Sequence, residues 1–385
     1  MSEQRVNRRG VALLSSAHLV NDFYQGVVPA MLPFLAAAYG YSNARVAGLM
    51  FAATALSAIT QPLFGWWADR GGREWLIWAG ISTAALGIAL CGVATSYPLL
   101  WAALAISGLG IAAFHPSGAR TARRLAGNST GAMGLFVLSG NIGFALGSLV
   151  AATLILCLGS VALKLLLLPA AVMAVVLLAR LPRYTEARSA PPSATRSGAN
   201  DWPSFLRLCL SVVVRSILFL ALTTFGALYL VERFTVPTSV AATTSSVFLA
   251  AGVIGTLLGA FLADRIGRLT SQRVGFAASA LACAGIVAAP TPTIAVLAIA
   301  GAGVAVSLPF AVMVTLGQDY LPQNIGVASG ITVGLAVSIG GLFGPAIGWI
   351  ADQTSLRTAL TALIALPLVA LLTSRRLEDP PTPGR

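Results

Sequence analysis

Apolar residues run almost unbroken for about twenty positions at a time along this chain, then give way to short polar breaks that carry arginine. A hydrocarbon layer of about 30 Å takes roughly 20 helical residues to cross. Twelve stretches meet that length: residues 11–38, 44–67, 74–95, 97–119, 129–156, 160–180, 206–231, 239–262, 273–290, 293–316, 326–350 and 356–375. Helices rather than strands follow because lipid offers no partner to a backbone amide, so each segment must satisfy its own hydrogen bonds. The longest break, 181–205, carries Pro182, Pro191, Pro192 and Pro203 among serines and mixed charge, the make-up of a flexible linker. It separates an N-terminal six-helix bundle (1–180) from a C-terminal six-helix bundle (206–385).

Composition sharpens that picture. Of 385 residues, 57% are hydrophobic and 9% charged, and the mean hydropathy is +0.85. A soluble domain carries about 25% charged residues, so an ordinary soluble enzyme and a disordered chain are both excluded. The 39 glycines suit helices packed closely in lipid better than a β-barrel. A net charge of +12 suggests nucleic acid at first sight, but the basic residues, all arginine except Lys164, sit in the breaks. Nineteen of them fall on the side that holds both termini and the 181–205 linker; Arg45, Lys164, Arg233 and Arg357 fall on the other, and Arg215 lies inside a span. Arginine-rich connectors face the cytoplasm. The expectation is a multi-pass protein of the cell's inner (plasma) membrane with cytoplasmic termini and linker, and no nucleic-acid partner. Arg5, Arg8 and Arg9 precede an apolar run too long for a cleavable signal. Cys91, Cys157, Cys209 and Cys283 show no CxxC spacing, which makes disulfide or zinc readings weak.

The two halves repeat. Gly65-Trp66-Trp67-Ala68-Asp69-Arg70-Gly71-Gly72-Arg73 follows the second span, and Ala260-Phe261-Leu262-Ala263-Asp264-Arg265-Ile266-Gly267-Arg268 follows the eighth. Gly143 and Gly147 of the fifth span correspond to Gly340 and Gly344 of the eleventh. A duplicated six-helix unit predicts a binding site between the halves, near the bilayer midplane.

The pattern Gly-x-x-x-Asp-Arg-x-Gly-Arg, here Gly65, Asp69, Arg70, Gly72 and Arg73, resembles the signature of the major facilitator superfamily, and Asp264, Arg265, Gly267 and Arg268 keep most of it in the second copy. A closer resemblance is to the fosmidomycin-resistance family of exporters. It rests on His18-Leu19-Val20-Asn21-Asp22-Phe23-Tyr24-Gln25-Gly26, on Val28 to Pro33, on Phe114-His115-Pro116, and on Gln318-Asp319-Tyr320-Leu321-Pro322. The resemblance implies an all-α membrane protein, twelve transmembrane helices in two six-helix bundles of the major facilitator fold, working as a proton-coupled exporter of small drugs or metabolites. Two departures matter. Leu104 stands where many drug–proton antiporters carry an arginine four residues before a glycine, here Gly108, so a coupling scheme built on that arginine does not carry over. Gly140-Asn141 replaces an expected Gly-Pro in span five, whereas Gly344-Pro345 in span eleven has the fuller form.

In the first span, Ser15, His18, Asn21, Asp22, Gln25 and Pro29 recur at steps of three, four and seven and make one polar stripe. Ionisable groups inside spans face protein or water and are functional by default. The functional reading is a proton site at Asp22 partnered by His18, with Asn21, Asp22, Tyr24 and Gln25 meeting substrate. The bland alternative is a structural network between helices. In span seven, Arg215 offers forked donors to an anionic substrate group, or else neutralises Asp22 as an ion pair; Tyr229 shares its stripe. His115, which titrates near physiological pH, is a further substrate or proton candidate, set against a helix-end histidine bonded to a carbonyl that Pro116 frees. With no ligand cluster evident beside the two histidines, no metal is expected.

Gly65, Asp69, Arg70 and Arg73, with Arg120, Arg123 and Arg124 as partners, and the second copy Asp264, Arg265 and Arg268, are read as a conformational latch: acidic groups set against helix N-termini and arginines hold one state. Plain control of topology by positive charge is the alternative. The glycines of spans five and eleven are expected at an interface where the halves rock, with static packing the equal rival. Trp66, Trp67, Trp75 and Trp78 read as interfacial anchors.

The expectation that results is a monomeric, proton-coupled secondary active exporter of small polar or anionic compounds that works by alternating access. It needs protons and a lipid bilayer and no cofactor, since there is no phosphate loop for ATP. The rivals are a proton-symport importer of organic anions, a membrane receptor without flux, and an intramembrane enzyme. The enzyme reading lacks a GxSxG, an HExxH or a Cys/His pair.

Overall fold

The structure is a computed structural model that describes residues 6–69, 73–127, 129–185, 199–324, 327–328, 331–332 and 339–379. No strand occurs among the described residues. The helices are α1 Arg8–Tyr39, α2 Asn43–Asp69, α3 Trp75–Cys91, α4 Tyr97–Ala126, α5 Thr130–Leu158, α6 Leu167–Thr185, α7 Trp202–Phe234, α8 Thr238–Ile266, α9 Arg268–Ala288, α10 Pro292–Ser307, α11 Phe310–Tyr320, α12 Gly344–Gln353, α13 Leu356–Ala362 and α14 Ala365–Ser374. Short 3₁₀ turns at Ser160–Leu166 and Ile339–Phe343 lead into α6 and α12.

Local chemistry explains where these helices start and stop. The Ser129 hydroxyl accepts from the Ala132 amide at the head of α5, the Asp201 carboxylate from Ser204 at the head of α7, and the Ser355 hydroxyl from Thr358 at the head of α13. Each satisfies one of the first-turn amides that a helix leaves unpaired. Pro98, Pro203 and Pro292 occupy first-turn positions, where a missing N–H costs nothing. Gly127, at φ 58°, ends α4. That stop lies beyond the expected end near residue 119, and the lengthened helix carries His115 about 17 Å inside its C-terminus. The linker is also shorter than expected, since α6 continues to Thr185 and α7 begins at Trp202. Span nine begins at Arg268 rather than residue 273, and the guanidinium of Arg273 donates to the Ser374 carbonyl. The expected eleventh span, 326–350, is described only in part.

Eight of the described helical stretches are long and apolar enough to cross a membrane. One of them joins α10 to α11 across Leu308–Pro309, and another joins α13 to α14. The 32-residue α1 is not among the eight. Its polar stripe dilutes it, although about 48 Å of helix is more than enough to span.

The chain divides into two compact units, Met1–Phe34 with Gly48–Pro192, and Leu35–Ala47 with Ser193–Arg385. In the first, helices touch backbone to backbone at glycines. A methyl group added at Gly143 or Gly147 of α5 would overlap the Leu19 or Phe23 carbonyl of α1, and one at Gly26 would overlap the Phe144 carbonyl of α5. Gly108 sits in the same way on Ala53, which joins α4 to α2. In the second unit, Gly255 and Gly259 of α8 meet the Val304 and Leu308 carbonyls, and Gly340 meets that of Ser216 in α7. The expectation that the span-five and span-eleven glycines serve an interface that rocks between halves is therefore corrected for Gly143, Gly147 and Gly340. They close contacts inside a bundle, because only a residue without Cβ lets two helix backbones approach that far.

Candidate functional site

Helical periodicity puts His18 and Asp22 on one face of α1, four residues apart, and the fold then brings α4 and α5 against that face. The carboxylate of Asp22 lies 3.2 Å from His18 Nε2 and 3.1 Å from His115 Nε2 of α4. Asn21 Nδ2 donates to Asp22 Oδ1 at 3.0 Å. The His18, Asp22 and His115 side chains keep only 5%, 13% and 17% of their surface exposed. The site is therefore a nearly dry carboxylate held between two imidazoles.

Two aromatic rings fix the His18 ring. Phe136 of α5 stacks on it at 4.2 Å between centroids, and Phe114 of α4 stacks at 5.7 Å. His18 Nδ1 lies 2.7 Å from the Phe136 carbonyl oxygen. A carbonyl only accepts, so Nδ1 carries a proton and Nε2 alone is left to face Asp22. Two arrangements satisfy the 3.2 Å contact: an imidazolium donating to a carboxylate, or a carboxylic acid donating to a neutral imidazole. Both hold one proton on the shared edge. The His115 Nδ1 atom is buried without a hydrogen-bond partner. It is best left unprotonated, which makes His115 a neutral ring that donates from Nε2 to Asp22.

Gly140 completes the cradle. A methyl group there would run into the His18 ring and Asp22 Oδ2, so the glycine that the chain keeps from the expected Gly-Pro is where α5 makes room for the pair. The sequence offered no sign of Phe136 or Gly140 in this role, because contacts between helices leave no periodicity to find. It also offered a helix-end reading for His115, bonded to a freed carbonyl. The structure corrects that: His115 lies within α4 and bonds Asp22.

The donor atoms of His18, Asp22 and His115 lie within 4.8 Å of one another, close enough to surround a metal ion. The premise that no ligand cluster accompanies the histidines is thereby corrected. A metal-bound imidazole needs an acceptor for its other N–H. His18 has one in Phe136, and His115 has none. The set suits a proton better than a metal.

The remaining stripe residues separate. Gln25, three residues after Asp22 on α1, is half-buried. Tyr24 is fully buried, and its hydroxyl donates to the Leu166 carbonyl at 2.7 Å, on the flank that meets α6. That bond ties α1 to the turn that leads into α6. Tyr24→Phe should destabilise the protein by about 1 kcal/mol and leave transport unchanged, as thermal unfolding and a transport assay on the same preparation would show. Tyr229 is likewise buried, and its hydroxyl donates to the Ile286 carbonyl of α9. It lies about 21 Å along α7 from Arg215.

In the second unit, Arg215 is 3% exposed, and no other arginine or lysine is buried among the described residues. Its Nε donates to the Val306 carbonyl at 3.1 Å, and its guanidinium carbon lies 5.4 Å from the Phe219 ring centre and 4.3 Å from that of Phe310. Nη1 has no partner. Arg215 forms no ion pair among the described residues, and Asp22 has its two histidines instead.

The latch candidates are only partly in view. Arg70 and the side chain of Asp69 lie outside the described residues. Gly65 is within α2, and the Arg73 guanidinium lies over the Trp67 ring at 5.0 Å. Arg120 is exposed, while Arg124 pairs with Glu74 at 3.1 Å. In the second copy, Asp264 is exposed and Arg265 covers Phe261 at 4.9 Å. Arg268 pairs with Asp319 and, at 3.0 Å, with Asp379. Two sequence motifs, around Arg268 and around Asp319, thus meet inside one unit.

A polar triad inside packed helices, glycine-mediated helix contacts and a duplicated signature all point one way. Residues 14–345 match the family model described as Major Facilitator Superfamily. The chain belongs to the Major Facilitator Superfamily. This superfamily member is 30% identical to the uncharacterized MFS-type transporter YfnC of Bacillus subtilis, over 94% of this chain and 90% of that one. It is 28% identical to the fosmidomycin resistance protein of Escherichia coli, again over 94% and 90%. Its fold matches a bacterial homologue of the human lysosomal transporter Spinster with a TM-score of 0.78, over 97% of this chain and 98% of that one, at 18% identity. The all-helical, multi-pass membrane architecture expected from the sequence is that of this superfamily of transporters.

Proposed function

We propose that this superfamily member is a proton-coupled exporter of small polar or anionic compounds in the inner membrane, with both termini cytoplasmic. The observation that carries the proposal is Asp22 held 3.2 Å from His18 Nε2 and 3.1 Å from His115 Nε2. A buried carboxylate with no counter-charge is costly by several kcal/mol, so the site is stable with its proton and is driven to regain one when it loses it. Alternating access supplies the two exposures. The pair takes a proton on one side and releases it on the other, while substrate bound near Arg215 moves the opposite way. A ligand shifts such an equilibrium only by its differential affinity for the two states. Proton occupancy at Asp22 and substrate occupancy must therefore oppose each other for antiport.

Likeness to a protein named for fosmidomycin resistance supports export over import. The charged signature residues, including Asp69, Arg70 and Asp264, act in this reading as latches between states. The reading includes neither enzymatic chemistry nor a cofactor.

The test is proton movement in proteoliposomes that contain a pH-sensitive dye. Adding substrate to one side should move protons in the opposite direction, with the signal abolished by a protonophore. Substrate flux with no accompanying proton signal would refute proton coupling, and proton movement alongside the substrate would establish symport instead. A second measurement concerns His115. His115→Gln keeps an amide donor for Asp22, so coupling should persist, whereas His18→Gln should lower coupling at least tenfold, the equivalent of about 1.4 kcal/mol.

A further inference from the structure

We infer that Arg215 is the headgroup site for a monoanionic organic acid with an apolar body, which narrows the substrate class of the exporter proposed above and rests on that reading. Arg215 is a buried cation with no ion-pair partner among the described residues. Its Nε is engaged by the Val306 carbonyl, and the Phe219 and Phe310 rings lie against it. Those contacts offset part of the desolvation, since a desolvated cation over an aromatic face is attracted to it, but they leave the net positive charge in place. Nη1, buried and without a partner, is the donor left over for a ligand.

The charge count sets the valence of that ligand. Arg215 alone among the described residues is a buried arginine or lysine, so a single negative charge closes the account. A dianion would exchange one buried net charge for another. Neutral sugars would leave the cation as it was, and cationic drugs would add to it. The surroundings set the body. Phe219, 8% exposed, and Phe310, 4% exposed, border the guanidinium, and Phe248, fully buried, lies 5.6 Å from the Phe219 ring. A ligand whose carboxylate reaches Nη1 has phenyl rings for company rather than hydroxyls or further cations. Phosphorylated sugars and nucleotides, which need several donors and charges, do not fit.

The test is thermal unfolding of the full-length protein in detergent at constant ionic strength. The probes are benzoate, benzamide, phthalate and benzylamine, which keep one ring and change only the charge. Benzoate near saturation should raise the midpoint by roughly 2–4 °C, and the other three should leave it in place. Arg215→Met should remove the benzoate shift while the ligand-free midpoint stays level or rises, because replacing an unpaired buried charge with a packed apolar side chain is neutral or stabilising. Arg215→Lys, which keeps the charge, serves if the methionine variant fails to fold, and its benzoate shift should shrink without vanishing. Equal shifts from benzamide or phthalate, or a benzoate shift that survives in Arg215→Met, would overturn the inference. Asp22→Asn separates this proposal from proton coupling: a benzoate shift retained there stands whether or not the protein moves protons, and its loss there would place the anion at the carboxylate cluster instead.

Discussion

In proteoliposomes carrying Asp22→Asn, a pH gradient drives no accumulation of substrate, while exchange of labelled for unlabelled substrate continues. The amide has nearly the carboxylate's shape and still accepts from His115 Nε2, but it takes up no proton at any physiological pH. The edge that it shares with His18 then has no exchangeable proton to commit. For each proton exchanged, one pH unit is worth about 1.4 kcal/mol, or tenfold in concentration. Across two pH units the wild-type protein should therefore reach a gradient of about a hundredfold, and the variant a ratio of about one. Counterflow is the control, since it needs alternating access without proton release. Retention of gradient-driven accumulation by Asp22→Asn would remove this residue from coupling. Loss of both activities would mean that the variant no longer folds or no longer switches.

The second large effect is expected where helices meet without side chains. Gly143→Ala should lower stability by about 1–3 kcal/mol, because the new methyl group meets the Leu19 backbone carbonyl of α1, which cannot rotate away as a side chain would. Gly134→Ala, on the same helix, meets nothing within 4 Å and should be neutral or stabilising by up to about 1 kcal/mol through helix propensity. Thermal unfolding of both variants in one detergent measures the contrast. Equal midpoints would mean that α1 and α5 are not in backbone contact. The cost at Gly143 should also reach transport, since it pushes α1 away from the α5 turn that holds His18 and Asp22.

These two cases show how the chain's information is divided. The long apolar runs, the arginine-bearing breaks and the duplicated Gly-to-Arg signature made the helical membrane fold legible, because each expresses a rule about lipid that acts on local sequence. The His18–Asp22 pair was legible for the same reason: a four-residue step on one helix makes neighbours. The third member was not. His115 lies 93 residues from Asp22, and its role depends on α4 running on to Ala126 and on packing against α1, neither of which has a local signature. The Phe136 carbonyl that fixes the His18 tautomer is a backbone atom, which any residue could have supplied. The hydrogen bond of Tyr24 was not legible either. The residue's place beside the stripe suggested substrate, and 100° of helical turn carries it to the flank that meets Leu166.

One detail of span ten bears on how charge and shape are joined. The helix breaks at Leu308–Pro309, between α10 and α11, and a proline there lacks the amide that would close the ladder onto Ala305. Val306, in the last turn before that joint, gives its carbonyl to Arg215. Any bending at the joint therefore changes the distance or direction of the oxygen that steadies the guanidinium. By linkage, whatever neutralises the guanidinium must bias the angle of the joint by the same free energy. In the proposed reading, cargo recognition and helix geometry in this half of the transporter thus share one mechanical element, the four residues Val306 to Pro309.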